Sequence, residues 1–471
     1  MEPMTAGQVA DHVHGRVVRG NIATLISDVS IDSRTLNQGA LFVALTGPQR
    51  DGHQFINQAA GRGAVAALVT REVAEAPDSI VQILVPDAFQ GLQRLATWYR
   101  SRFTCPVVGV TGSNGKTMTK ELLAHVLEGT HRVHKNFGNL NNELGVPLTL
   151  FGMESFHTMS VVEMGINHFG EMKRLAAMVQ PTMVVLTNIG PVHTEFLEHV
   201  EGVARAKAEI LEGLQPHQVV VVNGDEETVL PFVRRAEALS CTVVRAGLSE
   251  GCEVQVTDIV VNADGTSCVF RYREEVLPVN LKLHGVHQAR NAAIAAAAAL
   301  RLGVSFQQVT QRLSSFTPAL KGRFRIVECG GVTYVDDSYN ANPMSMRAAL
   351  EVVAGWTTRG RRIAVLGDMY ELGVERIEAH EKLGEAVARL GFDHMVAVGP
   401  MMKAAAARAA TLLGTDRVSL TESAGAAAGL VCRMVRPGDV VLVKGSRAMH
   451  LEEVVSSCEA DHQKSKIEAR R

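Results

Sequence analysis

The sequence predicts an α/β chain of three domains. These are a small N-terminal α/β domain, a central domain carrying a phosphate loop on a parallel sheet, and a C-terminal Rossmann-like α/β domain. Three observations carry this. The length of 471 residues corresponds to about three domains at roughly 150 residues each. Short runs that are apolar throughout alternate with segments of helical periodicity, the mark of parallel strands covered on both faces by helices. The pattern also restarts twice, at Cys105-Pro106 and near Lys321. The expected division is 1–103, 104–316 and 317–471.

In the first unit, SDVSID and ALFVAL read as strands, and DGHQFINQAAGRGAVAALV as a helix running into a strand. AFQGLQRLATWYRSRF has apolar residues at helical spacing. The second unit opens on the apolar run PVVGV. After it come TGSNGKT and an amphipathic helix with Met118, Leu122, Leu123, Val126 and Leu127 on one face. MSVVEM, TMVVLTN and QVVVVN are further buried strands. From Cys252 to Leu283 residues alternate around a turn at Asn262-Ala263-Asp264-Gly265, as in antiparallel hairpins, and an alanine-rich helix spans Ala289 to Arg301. In the third unit GVTYVDD, RRIAVLGD, HMVAVG and DVVLVKGS are strands; PMSMRAALEVV and EAHEKLGEAVARL are helices. The tail from Asp461 reads as a solvated end.

Composition removes several classes. Lys and Arg number 47 against 49 Asp and Glu, a net charge of −2, and aromatics make up 5%. Neither a basic phosphate-binding face nor base-stacking platforms are expected, so nucleic acid is not an expected partner. The richest apolar run, Ala292 to Leu300, is too short to span a bilayer, and the N-terminus lacks a charged n-region followed by an apolar stretch. A cytoplasmic chain with no membrane insertion is expected. The seven cysteines are odd in number, widely spaced and without CxxC, so reduced, packed thiols are expected.

The strongest local signal is Gly112-Ser113-Asn114-Gly115-Lys116-Thr117, a glycine loop between a strand and a helix. Backbone N–H groups at such a junction cradle phosphate; Lys116 can pair with phosphate oxygens and Thr117 can offer its hydroxyl to Mg²⁺. The position of the first motif glycine holds Val110. Glu163 ends an apolar run, where open α/β sheets bind ligands, and reads equally as a satisfied polar residue or a metal ligand. His193 lies just past another strand, and a lone histidine is more often structural. Lys207, in a helical stretch from Val203 to Leu214, reads by itself as a surface lysine. His287 and Asn291 share a helix face if the helix starts early enough. Lys321-Gly322-Arg323 can bring a cation to phosphate. Asp336 to Pro343 is a dense polar cluster after a strand, in which Asn342 can cap a helix that has Pro343 at its first position.

TGSNGKT, VVEMG, LTNIGPVH, HGVHQARNAAIAAAAA, KGRF and DDSYNANP, in that order, make the chain resemble the Mur ligase family over nearly its whole length. These are the ATP-dependent amide-forming enzymes of peptidoglycan precursor synthesis. NFGNLNNELGVPLTL, LGDMYELG and LVKGSRAMHLEEVV are similar to the branch that adds D-alanyl-D-alanine, and no DNPR segment of the diaminopimelate-adding branch is present.

The resemblance implies ATP and Mg²⁺, with UDP-N-acetylmuramoyl-tripeptide and D-Ala-D-Ala as partners; nothing in the sequence demands an oligomer, so a monomer is expected. It implies that Gly112 to Thr117, Asn291, Arg323 and Asp337 hold the nucleotide, Asn291 beside the adenine and Asp337 at the ribose. Thr117, Glu163, His193 and Lys207 would serve the metal, with Lys207 carbamylated; Lys116, His193, Lys207 and Arg323 form the catalytic set. Asp32, Ser33 and Arg34, together with the segment around Asp51-Gly52-His53, would face the uridine nucleotide. Asn139, Asn141, Asn142, Tyr339, Asn340 and Asn342 would hold peptide and dipeptide. Three closing domains imply a hinge near Thr317 to Gly322. The alternatives are another Mur-type or folate-type ligase with a different amino donor, and a P-loop regulatory NTPase. The second is disfavoured by the lack of a guanine-reading N/T-K-x-D motif.

Overall fold

The computed structural model describes residues 1–262, 264–318 and 320–468. The expected turn at Asn262–Gly265, the hinge at Thr317–Gly322 and the tail from Asp461 therefore lie partly outside the described residues. Up to Glu468 the tail continues the helix Glu452–Glu468.

Three main sheets follow one another along the chain. The first has five strands, ordered Arg16–Arg19, Val81–Leu84, Ala64–Val69, Ala40–Val43 and Asp28–Ser30. Only its Arg16–Arg19 edge is antiparallel. The second has nine strands. Val107–Thr111 lies between Met159–Glu163 and Met183–Leu186, all parallel, and Val133–Lys135, Val219–Asn223 and Thr242–Gly247 extend the sheet on either side. Antiparallel hairpins over Val254–Asn262, Gly265–Tyr272 and Glu275–Leu281 finish one edge. The third sheet has six strands, ordered Arg325–Cys329, Val332–Asp336, Val440–Lys444, Arg362–Gly367, His394–Val398 and Val418–Thr421, parallel but for the first pair.

The apolar runs form strands because every residue of Val107–Thr111, Met159–Glu163, Met183–Leu186 and Val440–Lys444 is buried, with helices on both faces. Val133–Lys135 and Thr242–Gly247 escaped the sequence reading: one is three residues long, the other interrupts its apolar run with Arg245. The alanine-rich helix begins earlier than expected, at Val286, after Gly285 with its left-handed φ of 110°. Its alanines are fully buried, and their small side chains let the helix lie close to the helix Lys116–Leu127 and the sheet. The earlier start places His287 and Asn291 on one helix.

Two further details differ from the sequence reading. The regular helix around Lys207 spans Val200–Ala208 and then tightens into a 3₁₀ segment, Glu209–Gly213. Cys432 and Cys458 form a disulfide, Cα–Cα 5.7 Å, which corrects the expectation of reduced thiols throughout. The two residues sit 26 apart on helices Ala424–Met434 and Glu452–Glu468, and the packing of those helices, which spacing does not reveal, makes the pair. Among the described residues no helix is long and apolar enough to cross a membrane.

Chain order fixes where a ligand can sit. From Val107–Thr111 the next two strands lie on one side and Met183–Leu186 on the other, so the end of Val107–Thr111 is a switch point in the sheet. Register aligns the three strands: Glu163 pairs with Val110, and Leu186 with Thr111. The loops that follow all three therefore open at one level. In the third sheet Asp336 pairs with Val443, so Asp337 and Lys444 leave their strands side by side.

Candidate functional site

A cleft of about 1000 Å³ lies between the ends of the second and third sheets. On one wall is the loop Ser113–Thr117; on the other are Arg323, Asp337, Tyr339, Asn340 and Asn342. Glu163, His193, Asn291, Asn139, Asn141 and Asn142 also line it. Ser33 and Arg34 do not: Ser33 is buried with its hydroxyl donating to Gln58 (2.7 Å), and Arg34 is exposed and paired with Asp32 (2.8 Å). His53 is buried between Asp51 (2.6 Å) and the N–H of Thr70 (2.9 Å).

The loop is built for a close approach of backbone to ligand. Gly112 and Gly115 have φ of 148° and 77°. A Cβ on Gly112 would come within 1.9 Å of Thr187 Oγ1, and one on Gly115 within 2.4 Å of Asn291 Oδ1. Both positions thus require glycine, sterically and conformationally. Asn188 Oδ1 accepts from the Asn114 N–H (2.8 Å), the Thr187 hydroxyl donates to the Asn114 carbonyl (2.5 Å), and Ser113 Oγ bonds the Gly190 carbonyl (3.0 Å). Thr187 and Asn188 were not singled out in the sequence; the LTNIGPVH segment that contains them was the available signal.

Lys116 curls over the loop, its Nζ donating to the carbonyls of Gly112 (2.8 Å) and Ser113 (3.2 Å). Burial lowers its pKa, Glu163 opposes that shift and Arg323 deepens it. An anion placed here would relieve two cations that face each other across the cleft. Arg323 stacks on Tyr339, its guanidinium carbon 4.0 Å from the ring centroid. Asp337 is bound from two sides, by Lys444 Nζ (2.7 Å) and the Phe324 N–H (3.1 Å), while Lys444 also donates to the Asn340 carbonyl (2.9 Å). Asn291 lies against Gly115, with its amide donating to Gln288 (3.1 Å). His287, on the same helix, is held down to about 4 by burial, Lys444 and Arg290, so it is neutral near pH 7.

Glu163 is fixed from several directions. Its backbone N–H donates to Asn136 Oδ1 (2.6 Å), and Oε1 accepts from Thr117 Oγ1 (3.2 Å) and Asn141 Nδ2 (2.7 Å). Asn141, read as a peptide contact, thus holds a carboxylate. Asn142 Oδ1 accepts from the N–H groups of Leu144 (3.2 Å) and Gly145 (2.8 Å). Glu163 Oε2 is buried without a hydrogen-bond partner among the described residues, and Lys120 Nζ stands 4.0 Å away. A buried carboxylate oxygen left so is costly unless positive charge reaches it, and a divalent cation fits. Among the described residues no group of three or more His, Cys, Asp or Glu side chains could hold a metal. Mg²⁺ does not need one: it binds through one or two carboxylates, with phosphate and water completing its shell.

Lys207 corrects its reading as a surface lysine. It is 1% exposed, and among the described residues it makes no ion pair. Burial and then Lys116 drive its pKa well below the ordinary lysine value. His193 bonds the carboxylate of Glu371 through Nδ1, and that hydrogen bond lowers the Glu371 pKa. Glu371 and Lys444 were missed as single residues because each acts on a partner far off in sequence.

Comparison with known proteins agrees with this arrangement. Residues 25–96 match the model for the Mur ligase family catalytic domain, 110–299 that for the Mur ligase middle domain, and 322–447 that for the Mur ligase glutamate ligase domain. The UDP-N-acetylmuramoyl-tripeptide--D-alanyl-D-alanine ligase of Bacillus subtilis is 34% identical over 452 residues, 96% of this chain and 97% of that one. MurF from Acinetobacter baumannii superposes with a TM-score of 0.88 at 32% identity, covering 98% of this chain and 99% of that one. MurF from Thermotoga maritima, solved in complex with ADP, superposes with a TM-score of 0.79 at 29% identity over 93% of this chain and 98% of its own. With three domain models in order and full-length relatives above 30% identity, the chain belongs to the Mur ligase family.

Proposed function

We propose that this chain is an ATP-dependent ligase that joins D-alanyl-D-alanine to UDP-N-acetylmuramoyl-tripeptide, a step in making the peptidoglycan precursor. The observation that carries this is one cleft in which the phosphate loop of the second sheet faces the DDSYNANP cluster of the third. Kinship along the whole chain with UDP-N-acetylmuramoyl-tripeptide--D-alanyl-D-alanine ligases supplies the substrates.

In this reading a terminal carboxylate oxygen of the tripeptide attacks the γ-phosphorus of ATP, and ADP leaves. The dipeptide amine then adds to the acyl phosphate carbonyl, loses a proton, and expels phosphate from the tetrahedral intermediate. Lys116 and Arg323 stabilise charge on the transferring phosphoryl group. The loop Gly112–Thr117 and Asn291 hold the nucleotide, with Asp337 reaching it from the third domain. Thr117, Glu163, His193 and a carbamylated Lys207 hold Mg²⁺. Bound magnesium neutralises charge on phosphate oxygens. A lysine that burial keeps unprotonated can react with CO₂, which turns a cation into an oxygen ligand; the lowered pKa of Lys207 supports that role.

Asn139, Asn141, Asn142, Tyr339, Asn340 and Asn342 hold peptide and dipeptide, and Ser33 and Arg34 serve the uridine nucleotide. The units 1–103, 104–316 and 317–471 act as substrate, ATP and ligase domains, hinged near Thr317 to Gly322. The enzyme works as a monomer in the cytoplasm, where ATP and its nucleotide-linked acceptor are made.

The test is phosphate release from Mg-ATP and UDP-N-acetylmuramoyl-tripeptide, with and without D-Ala-D-Ala, with the product weighed. A pentapeptide product that requires the dipeptide is expected. Release with a different amine alone would keep the ligase and overturn the substrate; tight ATP binding with no product from any pair would leave a regulatory NTPase.

A further inference from the structure

His193 and Glu371 come from different sheets. His193 follows the strand Met183–Leu186 of the second, and Glu371 follows Arg362–Gly367 of the third. Both line the cleft, and they meet through Nδ1 and Oε2. Both also have left-handed backbones, φ 54° and 61°, a conformation uncommon for residues with a Cβ. The contact extends to the backbone. The Glu195 N–H donates to the Glu371 carbonyl (3.4 Å), and a Cβ on Gly373 would stand 3.3 Å from Glu195 Cα.

A surface latch between two domains needs no place on the cleft wall, which both residues line. A histidine that ligates a metal through one ring nitrogen commonly gives the other N–H to a carboxylate, which fixes the ring and its tautomer. Glu371 takes Nδ1 and leaves Nε2 as the nitrogen to offer. We infer that Glu371 is a positioning residue supplied by the third domain to the cation site of the second, so that His193 is set for a metal only when the two domains are docked. The first ATP-loaded state would then be complete only after closure, which restrains ATP turnover in the open enzyme. The inference rests on the nucleotide and metal part of the ligase reading.

The full-length chain tests this as wild type, E371Q, E371A, H193A and the double variant H193A/E371A. Mn²⁺ binding in the presence of ADP is followed by electron paramagnetic resonance, independently of any product. The Mg²⁺ concentration for half-maximal phosphate release is measured beside the KM for ATP at saturating Mg²⁺. We expect E371A to weaken Mn²⁺ binding about 10- to 100-fold, E371Q, which keeps the side-chain shape, to weaken it less, and the ATP KM to stay within about twofold. The double variant should bind Mn²⁺ no more weakly than H193A, because Glu371 acts through His193. Wild-type Mn²⁺ affinity in E371A or E371Q, or additive losses in the double variant, would overturn the inference. A wild type that makes no pentapeptide while E371A still loses Mn²⁺ would reject the substrate reading and keep this one. Pentapeptide synthesis with unchanged Mn²⁺ binding in E371A would do the reverse.

Discussion

The Asn342 side-chain amide donates to Asn114 Oδ1 at 2.6 Å, joining the first turn of a helix in the third domain to the phosphate loop of the second. Its own oxygen meanwhile accepts from the Ser345 N–H (2.9 Å) and caps the helix Pro343–Ala354. One residue therefore holds a helix end and bridges two domains. The two roles can be separated. Asn342→Ala should lose both, with stability falling by about 1 kcal/mol and turnover falling as well. Asn342→Asp keeps a capping oxygen but has no amide to donate when ionised, so it should unfold at the wild-type urea concentration and still turn over slowly. Equal turnover in wild type and Asn342→Asp would show that the bridge is idle.

Lys116→Ala should abolish phosphate release while leaving the fold intact. Among the described residues the ammonium bonds the carbonyls of Gly112 and Ser113, and burial lowers its pKa, so its loss removes a charge rather than a packing contact. Losing a charge that acts on the transferring phosphoryl group is expected to cost about 100-fold or more in rate. Thermal unfolding measured beside the rate separates the two effects, and a folded variant with full turnover would reject the phosphate role.

Gly115→Ala should weaken nucleotide binding more than it weakens the fold. The new Cβ would need to displace the Asn291 amide, 2.4 Å away, at a backbone φ of 77° that alanine resists. We expect ADP affinity by calorimetry to fall about 10-fold or more, since about 1.4 kcal/mol suffices for that. The double change Gly115→Ala, Asn291→Ala should recover part of the loss, because the clash disappears and the φ penalty remains.

Lys207 gives a test through its reaction with CO₂. Enzyme assayed in carbonate-free buffer should lose activity and regain it with bicarbonate. Enzyme equilibrated with ¹³C-bicarbonate should show a carbamate carbon resonance that is absent from Lys207→Arg, whose guanidinium cannot carbamylate. Full activity in the absence of CO₂ would leave Lys207 as a buried neutral amine.

His134 sets a pH dependence away from the cleft. It is buried against Ser160 (2.9 Å), and burial, helped by His157, takes its pKa from 6.5 to about 4. A histidine depressed in the fold binds fewer protons there than in the unfolded chain, so stability rises with pH between about 4 and 6.5 and is lost as pH falls through that window. Between about pH 7.5 and pH 5 the loss is of order 2 kcal/mol. His134→Gln should flatten that part of the curve in urea unfolding at the two pH values. An unchanged slope would place the proton uptake elsewhere.

Local segments told most of what they form. The run Val107–Thr111, the glycine loop and the helix Lys116–Leu127 are contiguous, so their chemistry and periodicity were legible without neighbours. The capping of the helix at Asn342-Pro343 was legible for the same reason. Glu163 could be placed at a strand end, but whether its carboxylate was satisfied could not. That depends on Asn141 and Thr117 meeting one oxygen and leaving the other, 4.0 Å from Lys120 Nζ, without a hydrogen-bond partner among the described residues.

By itself the sequence determined the α/β class, the phosphate loop, the polar clusters at strand ends and, through ordered motifs, the family. The loop and the clusters are properties of residues within one turn or strand of each other, and the class and the family follow from the order of such segments along the chain. Tertiary structure decided what those pieces do to one another. Sheet order and register bring Asp337 beside Lys444, helix packing brings Cys432 to Cys458, and burial turns Lys207 from a solvated cation into a lysine with a strongly lowered pKa. Domain docking brings His193 to Glu371 and Asn114 to Asn342, pairs 178 and 228 residues apart. Hydrogen bonds and ion pairs act over a few ångströms, and only the folded path of the chain converts such separations into contact.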